Sequence, residues 1–287
     1  MGGIMGIKGK KIAVLSGKGG TGKTLVSVNL AALISEANYV DCDIEEPNGY
    51  LFLKPKNIKN EKVTRDVPLV NHDKCIGCKE CAEFCKFNAL AYTSQLIVFE
   101  NICHSCGGCM LVCPEGALST KEREIGKIEI GESSGVNNYT GFLKIGEPSG
   151  TPIIEKLLER VSTSLLTSII DAPPGSACTT MDSIKNADYC ILVAEPTTFG
   201  AHNLEMVYDL LVLFEKPFGV VLNKTLDGEN PSKDLCVEKD MKILLEIPFD
   251  EELGRLNSKG HILVNESKKY KEMFGDLLHK ITKEVGR

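Results

Sequence analysis

Gly17-Lys18-Gly19-Gly20-Thr21-Gly22-Lys23-Thr24 lies between an apolar run, Ile12-Ala13-Val14-Leu15, and a stretch with helix-like apolar spacing, Leu25 to Ile34. The order is strand, glycine-rich loop, helix. A phosphate-cradling P-loop needs this context, because glycines let backbone N–H groups close around phosphate oxygens at a helix N-terminus. Gly17, Gly19, Gly20, Thr21 and Gly22 supply that backbone. In this pattern Lys23 reaches the β- and γ-phosphates and the Thr24 hydroxyl binds Mg²⁺.

Outward from the loop, Tyr39-Val40-Asp41-Cys42-Asp43 reads as the end of a second strand, stopped by the turn residues Glu45-Glu46-Pro47-Asn48-Gly49. Side-chain direction in a strand repeats every two residues, so Asp41 and Asp43 are expected on one face, both turned to the γ-phosphate. Further along, Ser168 to Asp171, Tyr189 to Val193, Phe218 to Leu222 and Ile243 to Ile247 are apolar runs with helix-like segments between them. Near-continuous apolar strands alternating with helices predict a doubly wound, mostly parallel α/β sheet. Lys54 to Lys62 reads as a polar linker, and Lys127 to Ile130 with Phe142 to Ile145 as a β-ribbon.

Residues 75–113 hold an internal repeat. Cys75-x2-Cys78-x2-Cys81-x3-Cys85 returns as Cys103-x2-Cys106-x2-Cys109-x3-Cys113, and the same shift of 28 residues carries Ala89-Leu90 onto Ala117-Leu118. In such a run three thiolates wrap one corner of an iron–sulfur cube and the fourth crosses to the other cluster. Cys75, Cys78, Cys81 and Cys113 are therefore expected to hold one [4Fe–4S] cluster. Cys103, Cys106, Cys109 and Cys85 are expected to hold the second. Structural zinc is the alternative, but zinc ribbons take cysteines in separated pairs. The segment resembles the bacterial two-cluster ferredoxins, with one departure: Lys86 follows Cys85 where the usual run has proline, as Pro114 does after Cys113. The domain division is thus residues 1–64 with 126–287 as a discontinuous P-loop ATPase domain, and 65–125 as an inserted small α+β 2[4Fe–4S] ferredoxin domain.

The additional Lys18 makes the loop resemble the deviant Walker A ATPases of the MinD/ParA superfamily, which includes partition and septum-site ATPases, nitrogenase iron protein and iron–sulfur carrier ATPases. The resemblance implies that Lys18 reaches across a dimer to the partner's ATP, giving charge to the transferring phosphoryl group only when two chains sandwich two nucleotides. It implies that Asp43 orients the attacking water and Asp41 supports the Mg²⁺ shell, the division between the two being open. Asp171, before Ala172-Pro173-Pro174-Gly175, resembles the Walker B aspartate that holds Mg²⁺. By the same resemblance Asn223 reads the adenine edge and Pro248 lies against the base; each has an ordinary turn or strand-end reading beside it.

The acidic balance, a net charge of -6 over 287 residues, and the lack of any long Lys/Arg run argue against a nucleic-acid partner. Met1 to Lys11 holds no apolar stretch of signal-peptide length, so a cytoplasmic location is expected. The twelve cysteines then point to metal or redox chemistry rather than disulfides. Cys42 and Cys190 sit within apolar strands and read as buried small side chains; Cys236 reads as a polar-loop residue, and Cys178 as a packed or redox-sensitive thiol. Tyr270, Met273, Phe274, Leu277, Leu278, Ile281 and Val285 form a helical apolar stripe, read as a terminal helix packed on the sheet rather than laid on a membrane.

The chain is thus expected to be an ATPase, slow without its partner, using ATP, Mg²⁺ and two [4Fe–4S] clusters and forming an ATP-dependent homodimer or a heterodimer with a related ATPase. Three tasks fit these parts: ATP-gated electron transfer to a redox partner, delivery or assembly of an iron–sulfur or other metallocluster, and a redox-sensing positioning scaffold.

Overall fold

A computed structural model describes residues 7–34 and 36–286 of the chain. Residues 1–6, part of the stretch read above for an export signal, lie outside the described residues. In chain order the strands are β1 (Lys11–Leu15), β2 (Ala37–Asp41), β3 (Lys56–Val70), β4 (Leu90–Tyr92), β5 (Leu96–Val98) and β6 (Leu118–Ser133). They continue with β7 (Val136–Leu143), β8 (Thr167–Asp171), β9 (Tyr189–Ala194), β10 (Phe218–Thr225) and β11 (Ile243–Pro248).

Among the described residues, nine of these strands form one sheet in the order β11-β10-β9-β1-β8-β2-β7-β6-β3. Pairing is parallel from β11 to β7, and β6 and β3 then add an antiparallel edge. β1 stands between β8 and β9, so the chain leaves the centre of the sheet to both sides. The crevice at the carboxyl end of β1 is the topological switch point at which open α/β sheets bind ligands.

Alternation along the strands builds two cores. Ile12, Val14, Tyr39, Ile169, Ile191 and Leu244 pack on one face against helices Lys23–Leu33 and Lys268–Val285. Ala13, Leu15, Val40, Ile170, Leu192 and Leu222 pack on the other against helices Thr151–Ser162 and Thr198–Leu213. The expected C-terminal stripe lies in the first core, with Tyr270, Phe274, Leu277, Leu278 and Ile281 buried. Among the described residues no helix is long and apolar enough to cross a membrane.

Two expectations are corrected. Lys54 to Lys62 is not a linker: most of it is the first half of β3, paired with β6 from Lys56 opposite Glu132 to Val70 opposite Leu118. Its polarity is that of a solvated edge strand, where lysines guard unpaired backbone groups. Positions 64/65 and 125/126 lie within β3 and β6, which join the cysteine-rich segment to the main sheet. Cys236 is buried in helix Pro231–Glu238, not in a polar loop. The ribbon expected around residues 127–145 is the β6/β7 hairpin, and β7 also pairs parallel with β2.

Candidate functional site

The loop after β1 enters helix Lys23–Leu33 through Gly22, whose φ of 105° lies in the left-handed region that favours glycine. A side chain at Gly22 would also collide with the Asn223 amide, and one at Gly17 with the backbone of Asn203. The loop opens on a cavity of about 520 Å³ lined by Gly19, Gly20, Gly22, Lys23, Thr24 and Asp43, with Pro173 and Pro174 also in its wall. Lys23 is buried, its Nζ 3.8 Å from Asp43 Oδ2. Burial pushes the Asp43 carboxyl up to about 6, with Lys23 opposing.

Asp171, at the end of β8, is wholly buried. The Tyr39 hydroxyl donates to its Oδ2 at 2.9 Å, while Oδ1 is buried without a hydrogen-bond partner. Burial raises its pKa; Lys23 and the hydroxyls of Thr24, Tyr39 and Ser27 favour the ionised form. Thr24 lines the cavity and Asp171 lies beneath its wall, keeping one buried carboxylate oxygen without a hydrogen-bond partner.

Asp41 and Asp43 do not both face the cavity. β2 ends at Asp41, although Val40, Cys42 and Ile44 all turn into the same core and the Cys42 N–H still donates to Asp171 O at 2.9 Å. Asp41 is buried and accepts hydrogen bonds from the backbone N–H groups of Asp43 (3.2 Å), Asn48 (3.2 Å) and Gly49 (2.9 Å). It closes the turn and holds the start of helix Gly49–Leu53, while Asp43 alone of the two lines the cavity.

Asn223 and Lys224 hold the loop from beneath. The Asn223 amide donates to Thr21 O at 2.7 Å, and Lys224 Nζ donates to Gly20 O at 3.0 Å. The Asn223 carbonyl oxygen is taken by the Lys224 N–H at 2.9 Å, so both ends of the amide expected to read a base are engaged within the chain. Pro248 is exposed at the end of β11, outside the residues lining the cavity. Lys18 is paired with Glu195, which also accepts from Lys224 Nζ at 2.6 Å. The Lys18 ammonium lies 5.8 Å from the Phe199 ring centre.

The cysteine repeat is also a repeat of backbone. Left-handed residues recur at the same shift of 28: Gly77 and Ser105, Lys79 and Gly107, Asn88 and Gly116. So do hydrogen bonds, Ala89 N–H to Cys85 Sγ and Ala117 N–H to Cys113 Sγ, both 3.3 Å. Two cavities result. One, about 20 Å³, is lined by Cys75, Cys78, Cys81 and Cys113. The other, about 140 Å³, is lined by Cys85, Cys103, Cys106 and Cys109, with His104 stacked on Phe87 at 3.8 Å. Among the described residues no three His, Cys, Asp or Glu side chains converge closely enough for a single metal ion.

A contact path that the sequence does not reveal joins the two regions. Ile44, next to Asp43, accepts the Leu143 N–H at 2.9 Å, and its side chain fills the space left by Gly141 and Gly150. The loop between those glycines carries Glu147, whose carboxylate binds Arg123 at 2.7 and 2.6 Å and Arg65 at 3.3 Å. Arg65 donates to Glu100 O at 3.2 Å and Arg123 to Asn101 Oδ1 at 2.8 Å, in the turn that delivers Cys103. Tyr39 and Glu195 also belong to the site without any motif to mark them; the only sequence signal for each is a polar group in or closing an apolar strand.

The profile of the CobQ/CobB/MinD/ParA nucleotide binding domain matches residues 12–264. An uncharacterized protein of Methanocaldococcus jannaschii, MJ0578, is 32% identical over 276 residues, covering 94% of this chain and 96% of that protein. Over 58 residues the chain is 34% identical to a component of the ion-translocating oxidoreductase complex of Methanosarcina acetivorans, covering 20% of this chain and 22% of that protein. In fold it is similar to the septum site-determining protein MinD complexed with Mg-ADP from Pyrococcus horikoshii, with TM-score 0.62 at 18% identity over 96% of this chain and 97% of that one.

Proposed function

The chain belongs to the family of CobQ/CobB/MinD/ParA nucleotide-binding domains, and from that premise we propose an ATPase whose nucleotide cycle gates one-electron transfer through iron–sulfur clusters held by the cysteine repeat. Gly19 to Thr24 cradle the phosphates, Lys23 neutralises them, and Thr24 with Asp171 holds Mg²⁺. The unpartnered Asp171 Oδ1 supports that assignment, since a buried carboxylate oxygen is costly unless something binds it. Asp43 orients the attacking water. Asp41 shapes the turn on which Asp43 sits, and Asn223 sets the height of the loop from below. Lys18 completes the site only when a second copy of this chain, or a related ATPase, closes over the nucleotide.

Each cysteine-lined cavity has the donor set of a four-iron cluster: four thiols, with backbone N–H groups directed at Cys85, Cys103 and Cys113. Bound there, the clusters supply one-electron steps between a reduced donor protein and an oxidised acceptor protein. The 58-residue likeness to an oxidoreductase component supports the same reading. The observation that carries the proposal is the path from Ile44, beside Asp43, through Glu147 and its two arginines to the turn before Cys103. Packed ion-paired contacts of this kind transmit small displacements because they do not deform continuously.

A redox titration followed by EPR under strict anaerobiosis, with and without MgATP, tests it. A shift of about 59 mV changes a one-electron equilibrium tenfold, so nucleotide-dependent potentials with retained clusters are the expected result. The exposed thiols of Cys78 and Cys106 favour a second reading, cluster delivery. Unchanged potentials with cluster passing to an added apo-acceptor in MgATP would establish that reading instead.

A further inference from the structure

β2, Ala37-Asn38-Tyr39-Val40-Asp41, carries a tyrosine two residues before Asp41, and Tyr39 is among the largest fully buried side chains of the described residues. The register pairs Tyr39 with Ile169 and Asp41 with Asp171. The Tyr39 ring therefore runs along the sheet face toward the end of β8, where its hydroxyl meets Asp171 Oδ2 at 2.9 Å. Gly49 lies against the same hydroxyl, and a side chain there would collide with it. Every group around the phenol is thus fixed: the sheet beneath, Gly49 to one side, Asp171 ahead.

We propose that Tyr39 is a positioning residue of the magnesium site, anchoring Oδ2 of Asp171 so that Oδ1 is the oxygen offered to the metal. A carboxylate held at one oxygen loses its freedom to rotate, and the other oxygen keeps one direction. Here the held oxygen is the one that Tyr39 satisfies, and the free one is buried and unpartnered. This division of labour is what outer-shell partners give to metal-binding carboxylates. Ser27, also buried, donates to Thr24 O at 3.2 Å and steadies the second metal-holding residue from the helix side. The inference rests on the reading of Thr24 and Asp171 as the Mg²⁺ site, and concerns only how this chain orients that site.

The test is Tyr39→Phe, which removes one oxygen and keeps the ring. Mn²⁺, in place of Mg²⁺, is titrated into ADP-bound protein while the EPR signal of free Mn²⁺ is followed, and ADP affinity is measured separately in EDTA. The expected result is a loss of about tenfold in Mn²⁺ affinity, the low end for an outer-shell partner, with metal-free ADP affinity unchanged. On an Asp171→Asn background the same change should cost nothing further, because Tyr39 acts through that carboxylate. Equal Mn²⁺ affinity in wild type and Tyr39→Phe, or a loss shared equally by metal-free ADP, overturns the inference. Wild-type protein that binds ADP but no Mn²⁺ overturns the magnesium reading itself, and this inference with it. If Tyr39→Phe does not fold, wild-type protein labelled with 3-fluorotyrosine serves. Mn²⁺ with ADP should then broaden a solvent-protected fluorine signal that ADP alone leaves sharp, and persistence of all protected signals overturns the assignment.

Discussion

Arg123 donates two hydrogen bonds to the two carboxylate oxygens of Glu147, at 2.7 and 2.6 Å, tying β6 to the loop that follows β7. The same carboxylate faces Arg65 of β3, and the side chains of Glu147 and Arg65 are only 2% and 6% exposed. Removing one partner of a buried ion pair leaves an uncompensated charge. Glu147→Ala should therefore lower stability by about 3–5 kcal/mol in chemical denaturation. Glu147→Gln keeps the shape and one acceptor, so it should cost less and fold. In that variant MgATP should no longer shift the cluster potentials, although ATP binding persists. A shift of wild-type size in Glu147→Gln would move the coupling to another route.

Asp43 gives a pH dependence with a defined sign. Burial holds its carboxyl at about 6, so the fold favours the protonated form. That stabilising contribution is complete below the ordinary aspartate value and is lost as pH rises through about 6. For this group the loss between pH 4 and pH 7 amounts to about 2 kcal/mol in the nucleotide-free protein. Asp43→Asn should flatten the difference, measured as denaturation midpoints at several pH values. Turnover should run the other way, since orienting water requires the ionised form: kcat/KM for ATP should rise with an apparent pKa near 6. A profile flat from pH 5 to 8 would remove Asp43 from the reaction.

The contrast between Asp41 and Asp43 marks where the sequence stops being readable. β1, β8, β9, β10 and β11 are legible because strands buried on both faces must be near-continuous apolar runs, and the glycine loop is legible because its spacing is itself the mechanism. What no pattern along β2 shows is depth: Asp41 is buried under the backbone N–H groups of Asp43, Asn48 and Gly49, while Asp43 lines the cavity. β3 is hidden for another reason: an edge strand of lysines and asparagines has the composition of a loop. Asn223 is legible as a polar residue near the end of an apolar strand, but its partners, Thr21 O and its neighbour's N–H, are tertiary facts. Glu147 offers no local signal, because its arginines lie 24 and 82 residues earlier in the chain.

The crossing of the cysteine repeat predicts which cluster each thiol serves. Cys113 follows the second run, yet it lines the cavity of Cys75, Cys78 and Cys81; Cys85 follows the first, yet lines the cavity of Cys103, Cys106 and Cys109. Cys113→Ala should therefore lower iron from about eight to about four atoms per chain and leave the EPR signal of the second set. Cys85→Ala should leave the complementary signal. Iron analysis with EPR of the two variants decides the point, and identical residual signals from both would show that the repeats do not exchange ligands.

Lys18 is held in its own chain by Glu195, whose other oxygen binds Lys224, which in turn binds Gly20 O. An arm meant for a partner's nucleotide must leave this arrangement, so the pair opposes the proposed sandwich. Both side chains are largely covered, at 29% and 12% exposure, but the contact is near enough to water that its worth is about 0.5–1 kcal/mol. Two chains each release such a pair, so Glu195→Gln should lower the protein concentration at which MgATP drives homodimerisation by about five- to thirtyfold. Lys18→Ala should abolish hydrolysis while leaving the iron content of the cysteine segment intact. Light scattering across a protein dilution series, with turnover measured on the same samples, separates the two effects. Hydrolysis by Lys18→Ala at the wild-type rate would mean that each chain completes its own site, and Glu195 would then hold a lysine with no partner to reach.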